Sequence, residues 1–593
     1  VSKLNLDRDR VESCRLLAGK IAKRIQEFVD QHTTVSIERS VLRLLGVEEN
    51  YKGTPLVNAV IDSMPKEMLS RGILYWLGRA LAHHRSSSIS LCLKIAEGRL
   101  KWENLPEVSY DQVRQATEPL ARTAIRRLEE SAEWKRRAQD SLGRGGRPLK
   151  YLIVATGNIH EDVEQAKSAV LGGADCIAVI RSTAQSLLDY VPYGATTSGF
   201  GGTYATQENF KIMRKALDEI GKKAGRYIRL VNYSSGLCMP EIAVMGAYEH
   251  LDYLLNDSMY GILFRDINMK RTFTDQYFSR LIIARSGIII NTGEDNYLTT
   301  AESFRAFPQV LASQFINEQL ALGAHLQSEQ IGLGHAFEMD PEIEDSLLYE
   351  IAQAEMVREI FPNSPIKYMP PTRHMTGDIF QGHALDAMFN LVSVMSHQEI
   401  HLLGIPTEAI HNPLLQDRFL SLKAAGYIFK AARSLGDEIS WSPNGKVIRR
   451  ARSVLEDTQR LLHKVDQAGL MKAISQGLFA NMVRDVEGGR GLEGVIKRDH
   501  RYWNPILKLL EKPHTLSRDE VPYEVRRRSA DPEERISKGQ VRRRSGNQRP
   551  EGYRKRRSRP RSQKPVTAES QAASTSAPPE PSPPKENTGE KQS

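Results

Sequence analysis

The sequence predicts an α/β protein built on a (β/α)8 barrel of the TIM type, with helical additions before and after it and a disordered basic tail. Three observations predict this. Between about residues 150 and 414, short apolar runs alternate with amphipathic helical patterns eight times. Polar residues gather directly after those runs, the end at which barrel enzymes carry their chemistry. The flanking stretches, 1–142 and 415–514, show helical periodicity without candidate strands.

Taken in order, the first region places Leu17, Ile21, Ile25 and Phe28 on one helical face, and Ile37, Val41 and Leu44 repeat the spacing. Gly143-Arg-Gly-Gly-Arg-Pro148 breaks the pattern, so 143–149 reads as a linker. The candidate strands are Tyr151–Ala155, Cys176–Ile180, Tyr227–Val231, Tyr253–Leu255, Ile288–Ile290, Gln330–Leu333, Ile366–Met369 and Ile400–Leu403. Helical patterns separate most of them, such as Phe210, Met213, Leu217 and Ile220 on one face. A doubly wound open sheet is the alternative for the same rhythm. After the barrel come helices and a glycine-rich turn, Gly488-Gly-Arg-Gly-Leu-Glu-Gly494. From 515 to 593 the chain is low in complexity. Arginine clusters (Arg526–Arg528, Arg542–Arg544, Arg554–Arg557) precede a Ser/Pro/Ala/Glu stretch that cannot bury enough apolar surface to offset its ordering entropy.

Charge sharpens this division. The chain carries +10, but from Val521 onward 18 Lys and Arg face 9 Asp and Glu, so the tail holds +9 and the rest is close to neutral. The body is therefore not built as a polyanion-binding surface, and nucleic acid is expected only through the tail. No run of eighteen apolar residues exists, and Val1-Ser-Lys-Leu-Asn lacks the apolar stretch of a secretory signal. Four scattered cysteines without a C-x-x-C pair suit buried reduced thiols. The expected location is the cytoplasm.

The polar clusters define a candidate site. The second run ends in Arg181-Ser-Thr, the third in Asn232-Tyr-Ser-Ser235, the fourth in Asn256-Asp-Ser-Met-Tyr260 and the fifth in Asn291-Thr-Gly-Glu-Asp-Asn296. The sixth leads to Gly334-His335, and Glu408 and His411 follow the eighth. The loop Tyr190–Tyr204 is rich in glycine and runs into a helix, which fits either an anion site or a structural Ω-loop. His397-Gln-Glu-Ile-His401 lies at the wrong end of a strand, so no metal site is expected from it.

Several long runs carry a resemblance to a known family. They are Ala178-Val-Ile-Arg-Ser-Thr, Leu188-Asp-Tyr-Val-Pro-Tyr-Gly-Ala-Thr, Gly236-Leu-Cys-Met-Pro-Glu-Ile-Ala, Leu255-Asn-Asp-Ser-Met-Tyr, Ile289-Ile-Asn-Thr-Gly-Glu-Asp-Asn and Lys367-Tyr-Met-Pro-Pro-Thr. Over residues 1 to about 510 the chain resembles the large (α) subunit of D-lysine or L-β-lysine 5,6-aminomutase. The resemblance implies a radical isomerase of lysine degradation that uses pyridoxal 5'-phosphate and adenosylcobalamin. It moves the terminal amino group of D-lysine or L-β-lysine to the adjacent carbon. It also implies a small β subunit that carries the cobalamin domain and the lysine forming the resting Schiff base, so no catalytic residue is assigned on this chain. Consistently, no Asp-x-His-x-x-Gly motif is present.

By matching motif, Tyr260 resembles the residue stacked on the pyridoxal ring, and Arg181, Ser186 and Ser235 those holding its phosphate, with Asn296 beside them. Asp295 and Lys367 resemble the groups that take the ammonium and the carboxylate of the amino acid, with Glu408 and His335 as further pocket members. On the residues alone, Ser186 also fits a helix cap and Lys367 an exposed strand end. Two other readings remain: a catalytically silent barrel that supports a cobalamin-binding partner, and a nucleic-acid-binding protein acting through its tail.

Overall fold

The computed structural model describes residues 3–84, 86–180, 187–200, 202–233, 236–257, 259–300 and 303–513. Nine short strands form one parallel sheet: β1 (Leu149–Ile153), β2 (Cys176–Ile180), β3 (Arg229–Asn232), β4 (Tyr253–Leu255), β5 (Ile289–Asn291), β6 (Ile331–Gly332), β7 (Gly334–Ala336), β8 (Lys367–Met369) and β9 (Ile400–Leu402). Their order is β7-β8-β9-β1-β2-β3-β4-β5-β6. The two ends of that order, β6 and β7, are separated in the chain by Leu333 alone. Together they occupy the sixth position and nearly close a barrel, which rules out the open sheet. The predicted strand Gln330–Leu333 thus becomes two. The Leu333 N–H donates to the Ile331 carbonyl at 3.1 Å, a three-residue turn that interrupts the ladder.

Strand alternation sorts each residue to one face. Leu149 and Tyr151 of β1, Cys176 and Ala178 of β2, Val231, Tyr253, Ile400 and Leu402 form an apolar plug inside the barrel. Their neighbours Leu152, Ile177, Leu230 and Leu254 face the helices and join the main core. That core also takes in the flanking regions. Helix Arg8–Val29 buries Leu17, Ile21 and Ile25 as their spacing predicts, with Asp7 accepting the Arg10 N–H at its start. Strand His32–Thr34 pairs antiparallel with Val495–Lys497, so the N- and C-terminal additions are joined through their backbones.

These additions also grip the barrel mouth. Asp189, on the loop after β2, accepts from Arg39 of helix Val35–Leu44 at 2.5 Å and from Arg271 of helix Met269–Ser286 at 3.1 Å. Both arginines are buried and keep second partners, Glu241 and Asp275. Removing one member of such a network strands a buried charge, at a cost of about 3–5 kcal/mol. No helix among the described residues is long and apolar enough to cross a membrane.

Candidate active site

The site begins where β5 ends. Thr292-Gly-Glu-Asp leads into the short helix Asn296–Thr300, and this turn buries Asp295 completely. Lys367, the first residue of β8, is equally buried, and its Nζ lies 3.0 Å from Asp295 Oδ1. β7 separates β8 from the β5–β6 edge, so the pair spans a strand. Gly334 makes that possible. A Cβ there would stand 2.6 Å from the Thr292 carbonyl and would run into the Asp295 carboxylate. Burial opposes the Lys367 ammonium, but Asp295, and behind it the Tyr233 ring 5.5 Å away, hold its pKa above the ordinary value. Burial raises the Asp295 carboxyl, and Lys367 opposes that rise. The charged pair is the consistent state, because each ion removes the main penalty on the other.

Tyr260 opens the short helix Tyr260–Arg265, and its N–H donates to Asp257 Oδ2 at 2.8 Å. Its half-buried ring borders Gly293, where an added Cβ would stand 3.1 Å from Tyr260 Cβ. Arg265 donates to the Tyr260 hydroxyl at 3.1 Å. Asn296 donates from Nδ2 to the Gly293 carbonyl at 3.1 Å and to Asp295 Oδ2 at 3.2 Å. Tyr260, Asp295, Asn296 and Lys367 are therefore brought together where β4 and β5 end and β8 begins. What they offer is an aromatic face beside a buried carboxylate–ammonium pair.

Other candidates lie elsewhere. Arg181, Ser186 and Ser235 fall outside the described residues. His335 is fully buried but turns away from the pocket. Gly334 faces Asp295, so its neighbour faces the helices, where the His335 ring stacks on Tyr368 at 4.9 Å and meets Phe307 edge-on. Burial pushes its pKa down to about 3, leaving a neutral ring. Glu408 lies on an exposed turn after β9, the strand next to β8, its N–H donating to the Ile405 carbonyl at 3.0 Å. His397 and His401 part company. His397 meets Asp437 at 3.2 Å and His401 meets Ser393 at 2.9 Å.

Sequence reasoning missed Tyr233 as the ring facing Lys367, and missed the layer below the pair. There Asp257, Glu294, Asn317 and Arg280 are all buried. Two of them, Asp257 and Glu294, sat inside the polar clusters after the fourth and fifth runs, so a signal existed. Asn317 and Arg280 lie mid-helix, with no local signal.

Comparison with known proteins identifies the family. Residues 4–509 match the family described as the D-lysine 5,6-aminomutase TIM-barrel domain of the alpha subunit. The lysine 5,6-aminomutase alpha subunit of Acetoanaerobium sticklandii is 51% identical over 511 residues, 86% of this chain and 98% of that protein. Its namesake from Fusobacterium nucleatum subsp. nucleatum is 49% identical over 513 residues, covering 86% and 99%. A more distant relative, the D-ornithine 4,5-aminomutase subunit beta of Acetoanaerobium sticklandii, is 26% identical over 372 residues, 60% of this chain and 50% of that one. A barrel with a buried ion pair at its mouth, matched over nearly its whole folded length, places this chain in the lysine 5,6-aminomutase α-subunit family, aminomutases of the isomerase class.

Proposed function

We propose that the chain is the large subunit of an adenosylcobalamin- and pyridoxal-phosphate-dependent enzyme that moves the terminal amino group of D-lysine or L-β-lysine to the adjacent carbon by a radical 1,2-shift. The observation that carries this reading is the fully buried Lys367–Asp295 pair beside the Tyr260 ring. In this reading pyridoxal phosphate supplies an electron-withdrawing ring that stabilises a radical beside the migrating nitrogen, and adenosylcobalamin supplies the carbon radical that begins and ends the shift.

The described residues fit a pyridoxal ring. Tyr260 is held by Asp257 at its backbone N–H and by Arg265 at its hydroxyl, and its ring borders a glycine rather than a side chain. Arg181, Ser186 and Ser235 would hold the phosphate, with the guanidinium suited to a bidentate contact. Asn296 orients Asp295 from one side. Asp295 and Lys367 would exchange partners when substrate enters. Asp295 takes the substrate ammonium and Lys367 its carboxylate, so the buried charge count is unchanged and neither ion is left alone. Glu408 would join from the rim, and His335 would support the wall from outside.

The partner in this proposal is a small β subunit that carries both the cobalamin domain and the pyridoxal lysine, in a cytoplasmic hetero-oligomer. Closure of that subunit over the mouth would keep water from the reacting centre. The test is turnover of D-lysine and L-β-lysine by the chain co-expressed with its small subunit. Activity that needs both cofactors, and falls in Tyr260→Ala and Asp295→Ala, supports the proposal. An assembled, cofactor-loaded complex without turnover would move the reading to a silent scaffold. The family match ends at residue 509, so the basic tail lies beyond it. Truncation at about residue 515 should leave turnover intact and remove any polyanion binding.

A further inference from the structure

Beneath the ion pair, one amide touches two carboxyl groups. Asn317, on helix Ser303–Gly323, donates from Nδ2 to Asp257 Oδ1 at 2.9 Å and to Glu294 Oε1 at 2.6 Å. Its two hydrogens satisfy one carboxyl each. The orientation of the amide is set from the other side, where Arg280 donates from Nη2 to Asn317 Oδ1 at 2.9 Å. A flipped amide would set its oxygen against two carboxyls and its NH2 against a guanidinium. Arg280 is itself fixed by the Asn256 side chain and backbone carbonyl, each at 3.0 Å.

Each carboxyl reaches onward to a different part of the site. The other oxygen of Asp257 accepts the N–H of Tyr260. The other oxygen of Glu294 accepts the N–H of Gly334 at 3.2 Å, the residue whose missing side chain makes room for Asp295. The chain of contacts therefore runs from the aromatic wall through Asp257, Asn317 and Glu294 to the strand beneath the ion pair. We propose that Asp257, Asn317 and Glu294 form a positioning bridge that keeps Tyr260 in register with the Asp295–Lys367 pair, and that the bridge works with its Glu294 carboxyl protonated.

Burial and the shared amide favour that proton. Facing the bridge are Asp295 from the loop after β5, Lys367 from β8, Arg280 from helix Met269–Ser286 and Tyr297 from helix Asn296–Thr300. Lys367 is engaged by Asp295, and Arg280 donates to Asn256 and Asn317. Among the described residues, three buried carboxyls face two cations here, and two carboxyls that share one amide nitrogen disfavour each other's ionisation in a dry site. Burial first, and Asp257 second, push the Glu294 carboxyl up to about 8. The Glu294 proton leaves as pH rises through that value.

The role of the bridge in catalysis rests on the proposed aminomutase reading, but the proton does not, and the test separates the two. Infrared difference spectra of the full chain, titrated through about pH 8, should show a protonated-carboxyl band that disappears. The Glu294 component of that band should be lost in Glu294→Gln, and its midpoint should fall in Asp257→Asn. A wild-type chain without it, or a band untouched by both substitutions, overturns the proposal. In the assembled enzyme, Asn317→Ala should lower kcat/KM about ten- to a hundredfold, because two buried acceptors lose their donor. Glu294→Gln copies the neutral acid. It should lose less than Glu294→Ala and should abolish the alkaline fall in the rate profile, an outcome that general loss of packing would not produce. An alkaline fall that persists in Glu294→Gln counts against the bridge. An enzyme inactive in every form would sink the functional reading and leave the infrared result to decide the bridge.

Discussion

The two faces of β7 and β8 hold buried polar groups of opposite kinds. On the inner face, Gly334 and Lys367 belong to a charged cluster in which Asp295, Glu294, Asp257 and Arg280 are tied together through ions and amides. On the outer face, one residue along each strand, His335 stacks on Tyr368, and Phe389 stacks on His401 at 4.2 Å. Neither His335 nitrogen nor the Tyr368 hydroxyl has a hydrogen-bond partner among the described residues. The inner Asp295–Lys367 pair keeps its charge because each ion is built against the other. The outer groups keep their place by shedding charge, since burial pushes both His335 and His401 down to about 3.

The largest expected effect comes from breaking the inner pair. Lys367→Met leaves Asp295 as an unpaired buried carboxylate and should destabilise the fold by about 3–5 kcal/mol in denaturant titration. Adding Asp295→Asn should recover part of that loss. A double variant as unstable as the single one would show that the pair is not a unit. Gly334→Ala comes next. Its methyl must displace Asp295 or the Thr292 carbonyl, a steric cost of about 1–3 kcal/mol, with turnover falling further than stability suggests.

His335→Phe is the outer counterpart. It preserves the stack on Tyr368, and stability should change by less than about 1.5 kcal/mol. Turnover far below wild type in a well-folded His335→Phe enzyme would return that residue to the pocket.

The smallest effect, and the sharpest comparison, is in pH. Glu294, Glu338 and Asp386 are raised, chiefly by burial, to about 8, 7 and 8. Their folded forms keep protons that the unfolded chain releases above ordinary carboxylate values. The stability they add is complete below about 4.5 and is lost as pH rises towards 8. The two histidines act in the opposite sense. Their depressed values favour folding above 6.5, and that contribution is lost as pH falls towards 3. Midpoints of unfolding measured across this range should therefore show an acid limb that shrinks in His335→Phe and an alkaline limb that shrinks in Glu294→Gln. A single substitution that moved both limbs would mean the two faces are not independent.

Much of the fold could be read directly, because strands buried on both sides appear as short apolar runs and the helices between them carry a 3.6-residue stripe. Even the ends most rich in chemistry were legible as Asn, Asp, Glu and Tyr crowded after the fourth and fifth runs. What local pattern could not supply was partnership. Asp295 and Lys367 were assigned separate tasks, yet they face each other across a strand 72 positions apart in numbering. The family resemblance sets His335 in the pocket, yet a shift of one residue from Gly334 turns it to the other face.

The sequence by itself determined the barrel, the order of its strands, the helical additions and the loops that line the mouth. Each of these depends on periodicity and on turn residues close in the chain. Only the tertiary structure decided that the sixth strand divides at Leu333, that the buried charges come as a paired set, and that a mid-helix asparagine joins two carboxyls beneath them. Those features depend on which side chains meet across elements, and a buried charge is tolerated only where such a meeting occurs.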